Sequence, residues 1–219
     1  MTDNTPGPGL WCDIAPGNFA GRAALFLDRD GVIIEDVHFL GRPEDMRMLA
    51  GAASAIARCN RLGIPAVLVT NQSGIARGLY GWQDFHDVQA ALAAALRTAG
   101  AHLDAILACA YHGDGNAPLN IADHPWRKPN PGMIAAAAER MRLDLSRSWI
   151  VGNRVSDIAT GRAAHLAGGI LLAANGRYTE RNAALDLRTK TFVVEICASL
   201  EEAVSLLLGR GCLGIVQRS

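Results

Sequence analysis

The sequence predicts a three-layer α/β fold, in which helices cover both faces of a mainly parallel β-sheet. Short apolar runs alternate with helical patterns along most of the 219 residues, as is typical of parallel strands joined by crossover helices. Half of the residues are hydrophobic, which suffices for one sizeable core. We expect a single domain at residues 23–219, preceded by a loosely ordered arm at residues 1–22 that is rich in Pro and Gly.

The predicted strands are runs of apolar and β-branched residues that are too short for buried helices. The first reads ALFLD, and the last, TFVVE, is the least regular of them. We place the strands at residues 24–28, 65–70, 105–110, 148–152, 168–173 and 191–195.

Between these strands, apolar residues recur at helical spacing. Gly63 and Gly100 follow two of the patterns, where a glycine commonly ends a helix. Asn130 and Pro131 open another pattern as a cap and a first helical residue. We place the helical patterns at residues 45–62, 82–100, 130–141 and 156–168.

Composition excludes some classes of function. Lys and Arg together number 21, as do Asp and Glu, so the formal net charge is zero and no broad nucleic-acid-binding face is indicated. Five cysteines without a CxxC pair are typical of a reduced intracellular protein. No apolar signal core or run of transmembrane length is present, and we expect a cytoplasmic protein without membrane partners.

Polar side chains follow four of the predicted strands. Parallel strands end at one edge of a sheet, which is where ligands bind in open α/β folds, so we expect these side chains to converge. They are Asp28 and Asp30 after the first strand, Thr70, Asn71 and Gln72 after the second, Lys128 after the third, and Asn153 and Asp157 after the fourth.

Phosphoryl transfer is the chemistry that suits this set. Two carboxylates one residue apart repel each other unless a cation joins them, and Mg²⁺ prefers such oxygen ligands. One aspartate can be the nucleophile and the other the general acid and base, while Thr70 and Lys128 can hold the phosphate. Each residue alone has an ordinary alternative, such as Asp157 favouring a helix N-terminus, but the ordered combination favours the functional interpretation.

Four stretches carry a family resemblance: FLDRDGVI, VTNQSGIARG, RKPNPGM and VGNRVSDI. They resemble the four motifs of the haloacid dehalogenase (HAD) superfamily of phosphatases over roughly residues 23–175. The fuller wording resembles a narrower group containing heptose bisphosphatases and histidinol-phosphate phosphatases. The resemblance implies a Rossmann-like HAD fold and a Mg²⁺-dependent phosphatase of a small phosphorylated sugar or metabolite, in a pathway to lipopolysaccharide or other surface sugars.

The resemblance also implies roles for individual residues. Asp28 would form an aspartyl-phosphate, and Asp30 would protonate the leaving oxygen and activate water. Thr70, Asn71 and Gln72 would hold the transferring phosphate, and Lys128 would pair with it and with the nucleophile. Arg127 would bind a second phosphate, for which Arg42 and Arg77 are further candidates by their chemistry. The implied Mg²⁺ ligands are Asp28, Asp30, Asn153 and Asp157.

The chain departs from the family pattern at two places. Asn153 stands where the fourth motif usually has an aspartate, and the amide brings no charge to the metal. This leaves open an active enzyme that needs more Mg²⁺ or a non-catalytic phosphate-binding protein. The group often has a zinc loop before the lysine, and here only Cys109, His112 and His124 remain as candidate ligands, an incomplete set.

No long insertion follows the first motif, so we expect no large cap domain, with the loop at residues 110–127 over an open site. The expected substrate is D-glycero-D-manno-heptose 1,7-bisphosphate, cleaved at position 7. Histidinol phosphate is the alternative within the same class. A DNA 3′-phosphatase, whose TNQ stretch is similar, is disfavoured by the zero net charge.

Overall fold

A seven-stranded sheet organises the computed structural model, which describes residues 7–173 and 178–213. Its order is β1-β4-β3-β2-β5-β6-β7; β1 is antiparallel to β4, and every other neighbouring pair is parallel. The six predicted strands are confirmed to within two residues. The strands are β1 Leu10–Ile14, β2 Leu25–Leu27, β3 Ala66–Asn71, β4 Ala105–Cys109, β5 Trp149–Gly152, β6 Gly168–Leu172 and β7 Val193–Cys197.

Helices cover both faces of the sheet, as the alternation predicts. None of those in the described ranges is long and apolar enough to cross a membrane. The α-helices are α1 Ala52–Arg61, α2 Ser73–Ala76, α3 Trp82–Thr98, α4 Gly132–Met141, α5 Val155–Ala163, α6 Tyr178–Leu185 and α7 Leu200–Gly209. Short 3₁₀ helices lie at Pro43–Asp45 and Leu145–Arg147.

Two helix boundaries differ by more than two residues from the predicted patterns. The first helix begins at Ala52, not at residue 45, because Gly51 caps it with a left-handed backbone (φ 76°). The helix predicted at 156–168 ends at Ala163, since Leu166 and Ala167 lead directly into β6. The four predicted patterns therefore identify α1, α3, α4 and α5 but not all of their ends, and α2, α6 and α7 were not predicted.

Alternating side chains of the strands supply a separate core to each face. In β2, Leu25 and Leu27 pack into the core beneath α1, α3 and α7, whereas Phe26 packs toward α4 and α5. All three residues are fully buried, and β2 is paired on both edges, with β3 and β5. Since β2 is central and completely buried, the residue that follows it is held in a fixed position.

The N-terminal arm is only partly as predicted. Residues 10–14 form the edge strand β1, which pairs with β4 from Leu10 opposite Cys109 to Ile14 opposite Ala105. The prediction of a loosely ordered arm is wrong for this segment because its order comes from pairing with a strand about 95 residues away, which flanking Pro and Gly do not reveal.

Candidate active site

A cleft of about 340 Å³ lies at the carboxyl ends of β2, β3 and β5. The sheet therefore does bring most of the predicted residues together at one edge, although they are distant in sequence. Thr70, in contrast, is buried beneath the cleft. Eight of the predicted residues line the cleft: Asp28, Asp30, Asn71, Gln72, Arg127, Lys128, Asn153 and Asp157.

Lys128 joins two aspartates on the floor of the cleft. Its Nζ lies 2.8 Å from Asp28 Oδ1 and 2.6 Å from Asp157 Oδ1, and it donates to the Val69 carbonyl at 3.0 Å. All three of its donors are thereby used, which fixes the ammonium group in place. The second oxygen of Asp157, Oδ2, accepts from the backbone amides of Asn153 and Arg154 at the start of α5.

Burial and pairing oppose each other in this cluster. Burial alone would lower the pKa of Lys128, but Asp157 and Asp28 raise it to about 12, so the lysine stays charged. Burial raises the pKa of Asp157 to about 6, against the opposing effect of Lys128. The Lys128 ammonium group thus keeps its positive charge next to Asp28.

Asp30 is paired with its own neighbour in sequence. The guanidinium of Arg29 contacts both carboxylate oxygens of Asp30 at 3.1–3.3 Å. Burial raises the pKa of Asp30 above its ordinary value, while Arg29 partly offsets this rise. A carboxyl group that holds its proton to higher pH than usual suits a general acid.

Gln72 lies between Asp30 and the residues of the second motif. Its Nε2 donates to Asp30 Oδ2 at 3.2 Å and to Thr70 Oγ1 at 2.8 Å. Its Oε1 accepts from Arg29 Nη2 at 3.0 Å and from the Tyr80 hydroxyl at 2.6 Å. The side chain predicted to hold phosphate thus contacts four protein groups within the site.

Asn71 connects the second and third motifs. Its Nδ2 donates to the Lys128 carbonyl and its Oδ1 accepts from the Lys128 amide, each at 3.1 Å. This pair of bonds fixes the backbone that carries the lysine. One amide hydrogen of Asn71 is not needed for the pair and can be donated to a ligand in the cleft.

Asn153, a predicted Mg²⁺ ligand, lies next to Gly31. It is buried at the cleft wall, and its amide lies against the Cα of Gly31, in the space that a Cβ at residue 31 would occupy. Gly31 has a φ of 78°, so its backbone also favours glycine. The Asp28 carboxylate, the Asn153 amide and the backbone carbonyl of Asp30 are oxygen donors of the kind Mg²⁺ accepts, and these residues fit that ion.

The three predicted second-phosphate arginines do not lie together. Arg127 lines the cleft and is fixed by donating to the Tyr111 carbonyl at 3.0 Å. Arg77 lies outside the cleft lining; its Nη2 pairs with Asp114 at 3.0 Å and its guanidinium lies over the Phe39 ring. Arg42 is exposed and pairs with Asp45 at 2.8 Å.

The three candidate zinc ligands do not form a zinc site. Cys109 is completely buried, and burial raises the pKa of its thiol to about 11. Nδ1 of His112 and Nδ1 of His124 each accept a backbone N–H, from Asp114 and Trp126. Within residues 7–173 and 178–213 no group of three or more His, Cys, Asp or Glu side chains could hold a metal. Instead, His124 stacks on Tyr111, with ring centroids 4.2 Å apart.

The site also contains residues that the pattern of strand ends does not identify. Arg29 is almost completely buried and lies over the Phe85 ring at 5.6 Å. Tyr80 and Arg154 line the cleft, and Arg154 pairs with Asp36 at 3.2 Å. Arg29 and Arg154 could have been found only from their positions within the first and fourth motifs, and nothing in the sequence indicated Tyr80.

Comparison with known proteins identifies the class of protein. A family model described as HAD-hydrolase-like matches residues 125–203. A D-glycero-beta-D-manno-heptose-1,7-bisphosphate 7-phosphatase of Mesorhizobium japonicum is 43% identical over 196 residues, which cover 89% of this chain and 90% of the relative. A Yersinia pestis protein of the same name is 31% identical over 83% of this chain and 94% of its own length.

Solved structures share the fold. A HAD-like phosphatase from Mesorhizobium loti is 40% identical with a TM-score of 0.85, covering 97% of this chain and 98% of the other. A D,D-heptose 1,7-bisphosphate phosphatase from B. bronchiseptica, complexed with magnesium and phosphate, is 30% identical with a TM-score of 0.71, covering 86% and 99%. The chain belongs to the HAD-like hydrolase superfamily and is a phosphatase. Within that superfamily it resembles the proteins named heptose-1,7-bisphosphate 7-phosphatases.

Proposed function

We propose that the protein is a Mg²⁺-dependent phosphomonoesterase that removes the 7-phosphate of D-glycero-D-manno-heptose 1,7-bisphosphate. The observation that carries this proposal is Asp28, fixed at the end of the central buried strand with one oxygen on Lys128 at 2.8 Å. The names of the relatives support the substrate. Lipopolysaccharide or surface-sugar synthesis in the cytoplasm is the setting that such a reaction implies.

The residues of the cleft divide the reaction into two displacements. In the first, the free oxygen of Asp28 bonds to phosphorus while the bond from phosphorus to the sugar oxygen breaks, and that oxygen takes a proton from Asp30. In the second, water gives a proton to Asp30 and bonds to phosphorus, which releases inorganic phosphate and restores the Asp28 carboxylate. Lys128 stabilises the negative charge on the transferring group in both displacements.

The metal would be held by Asp28, the Asp30 carbonyl and Asn153. When bound, Mg²⁺ supplies charge neutralisation between the carboxylate nucleophile and the phosphate oxygens. Asp157 contributes indirectly, because its two oxygens bind Lys128 and the start of α5. Asn71, which lines the cleft, is the phosphate-binding side chain in this proposal, whereas the buried Thr70 binds Gln72.

Arg127 is the proposed partner of the second phosphate. Arg127 lines the cleft and keeps donors beyond the one bound to Tyr111, so it can bind an anion. Histidinol phosphate lacks a second phosphate, which makes the bisphosphate the better match. Arg77 and Arg42 are already paired with Asp114 and Asp45 and are secondary candidates.

Phosphate release under Mg²⁺ tests the proposal. The heptose bisphosphate, histidinol phosphate and a 3′-phosphorylated oligonucleotide are compared for the parent, Asp28→Asn and the exposed control Asp186→Asn. We expect release from the bisphosphate at the highest kcat/KM, loss of about 10³-fold or more in Asp28→Asn, and an unchanged control. Full activity of Asp28→Asn would show that Asp28 is not the nucleophile. Asn153→Asp is measured beside these variants; no phosphate release by the parent together with release by Asn153→Asp would favour the non-catalytic, phosphate-binding alternative.

A further inference from the structure

We propose that Gln72 is a positioning residue that sets both the Thr70 hydroxyl and the Asp30 carboxyl, and that Arg29 and Tyr80 hold it there. This inference rests on the proposed function, because it assigns parts in the same reaction. It concerns the side chains around the acid rather than the groups that contact phosphorus.

The orientation of the Gln72 amide is fixed by its partners. Its Nε2 has two hydrogens and donates to two acceptors, Asp30 Oδ2 and Thr70 Oγ1. Its Oε1 accepts from two donors, Arg29 Nη2 and the Tyr80 hydroxyl. A flipped amide would place oxygen against the Asp30 carboxylate and hydrogens against the guanidinium, so only one orientation is favourable.

The bond to Thr70 fixes a buried hydroxyl group of the second motif. A hydroxyl has one hydrogen to donate, and Gln72 uses the oxygen only as an acceptor. Thr70 is buried beneath the cleft, so this bond holds its hydroxyl in place from the side of the site. One amide of Gln72 thus connects Thr70 to the Asp30 carboxyl group.

The other amide hydrogen restrains the acid. Arg29 donates hydrogen bonds to the Asp30 carboxylate, and Gln72 donates a further hydrogen bond to its Oδ2. Arg29 cannot move away easily, because it is 1% exposed and lies over Phe85. Fixed partners on two sides hold the carboxyl group in one place, which general acid catalysis requires.

Tyr80 completes the set from outside the motif. Its hydroxyl donates to Gln72 Oε1 at 2.6 Å, and its ring packs against Gly74. Burial raises the pKa of Tyr80 to about 12, so the hydroxyl remains a donor. Loss of this one bond should loosen the amide without removing it from the site.

The dependence of kcat/KM on the leaving group distinguishes a positioning role of Gln72 from a merely structural role. Phenoxide is a poorer leaving group than p-nitrophenoxide, so cleavage of phenyl phosphate depends more on a proton donor. The ratio kcat/KM reports only the steps up to release of the leaving group. We expect Gln72→Leu to lower kcat/KM for phenyl phosphate about 10²-fold, at least tenfold more than for p-nitrophenyl phosphate. Tyr80→Phe should show the same selectivity at about threefold.

Gln89→Leu is the matched control, since Gln89 is a buried glutamine of α3 outside the cleft. It should leave the ratio of the two substrates unchanged. An equal loss on both substrates in Gln72→Leu, or no loss, would overturn the proposal. Crystal structures of the parent and Gln72→Leu give a readout that needs no activity: an unmoved Asp30 carboxylate also overturns it. A parent without Asp28-dependent turnover refutes the proposed function instead.

Discussion

The Asn153 amide fills the space beside Gly31 that any other residue at position 31 would need for its Cβ. This contact joins the first and fourth motifs across the cleft. The chain can turn directly after Asp30 because the backbone of Gly31 is left-handed, at φ 78°.

Gly31→Ala should therefore lower both stability and activity. A left-handed alanine costs about 1–2 kcal/mol, and the collision with Asn153 displaces a side chain of the cleft. Gly21→Ala is the control, because Gly21 has a φ of 69° and nothing within 4 Å of the added Cβ. Urea unfolding and kcat/KM are compared; Gly21→Ala should lose stability alone. Equal activity in the two variants would show that the contact with Asn153 does not matter.

Asn153→Asp should reduce the Mg²⁺ requirement. The added carboxylate supplies charge to a site whose proposed ligands otherwise include only the Asp28 carboxylate, and ligand charge raises affinity for a hard cation. We expect half-maximal activity at about tenfold less Mg²⁺. Ser156→Asp, which adds a carboxylate elsewhere on the cleft lining, should change the requirement much less. An unchanged Mg²⁺ dependence in Asn153→Asp would remove Asn153 from the proposed ligands.

The central strands were predictable because their signal is local. An unbroken apolar run such as Leu25 to Leu27 is fully buried whichever strands flank it. The edge strand β1 depends on pairing with β4, and the helix α7 lies in a tail to which the motif resemblance assigned no part. Periodicity and motifs therefore identified the layers but not all of their members.

The site divides in the same way. Convergence of Asp28 and Lys128 follows from parallel strands ending at one edge. That Gln72 contacts four protein groups depends on side-chain geometry, which no spacing encodes. A fully buried Arg29 could not be expected either, since arginines are rarely buried unless they are paired.

Asp157 should make the metal-free protein less stable as pH rises. Burial raises its pKa from the usual 3.8 to about 6, so the folded state binds this proton more tightly than the unfolded state does. The contribution to stability is complete below about pH 4 and is lost as pH rises through 6. Unfolding by urea in EDTA between pH 4 and pH 7 measures it. The free energy of unfolding of the parent should fall between pH 4 and pH 7 by more than that of Asp157→Asn. The same dependence on pH in both proteins would contradict the prediction.

The loop at residues 110–127 should be held by an aromatic contact instead of a metal. Tyr111 and His124 stack at 4.2 Å with ring planes 17° apart, which is worth about 0.5–1.5 kcal/mol. His124→Ala removes the stack and the acceptor for the Trp126 amide, so proteolysis within the loop should quicken severalfold and KM should rise. His86→Ala, on the exposed side of α3, is the control. Because no zinc joins these residues in this interpretation, a zinc-selective chelator should leave the parent's proteolysis rate unchanged. Faster cleavage of the parent with the chelator would instead mean that a metal fastens the loop.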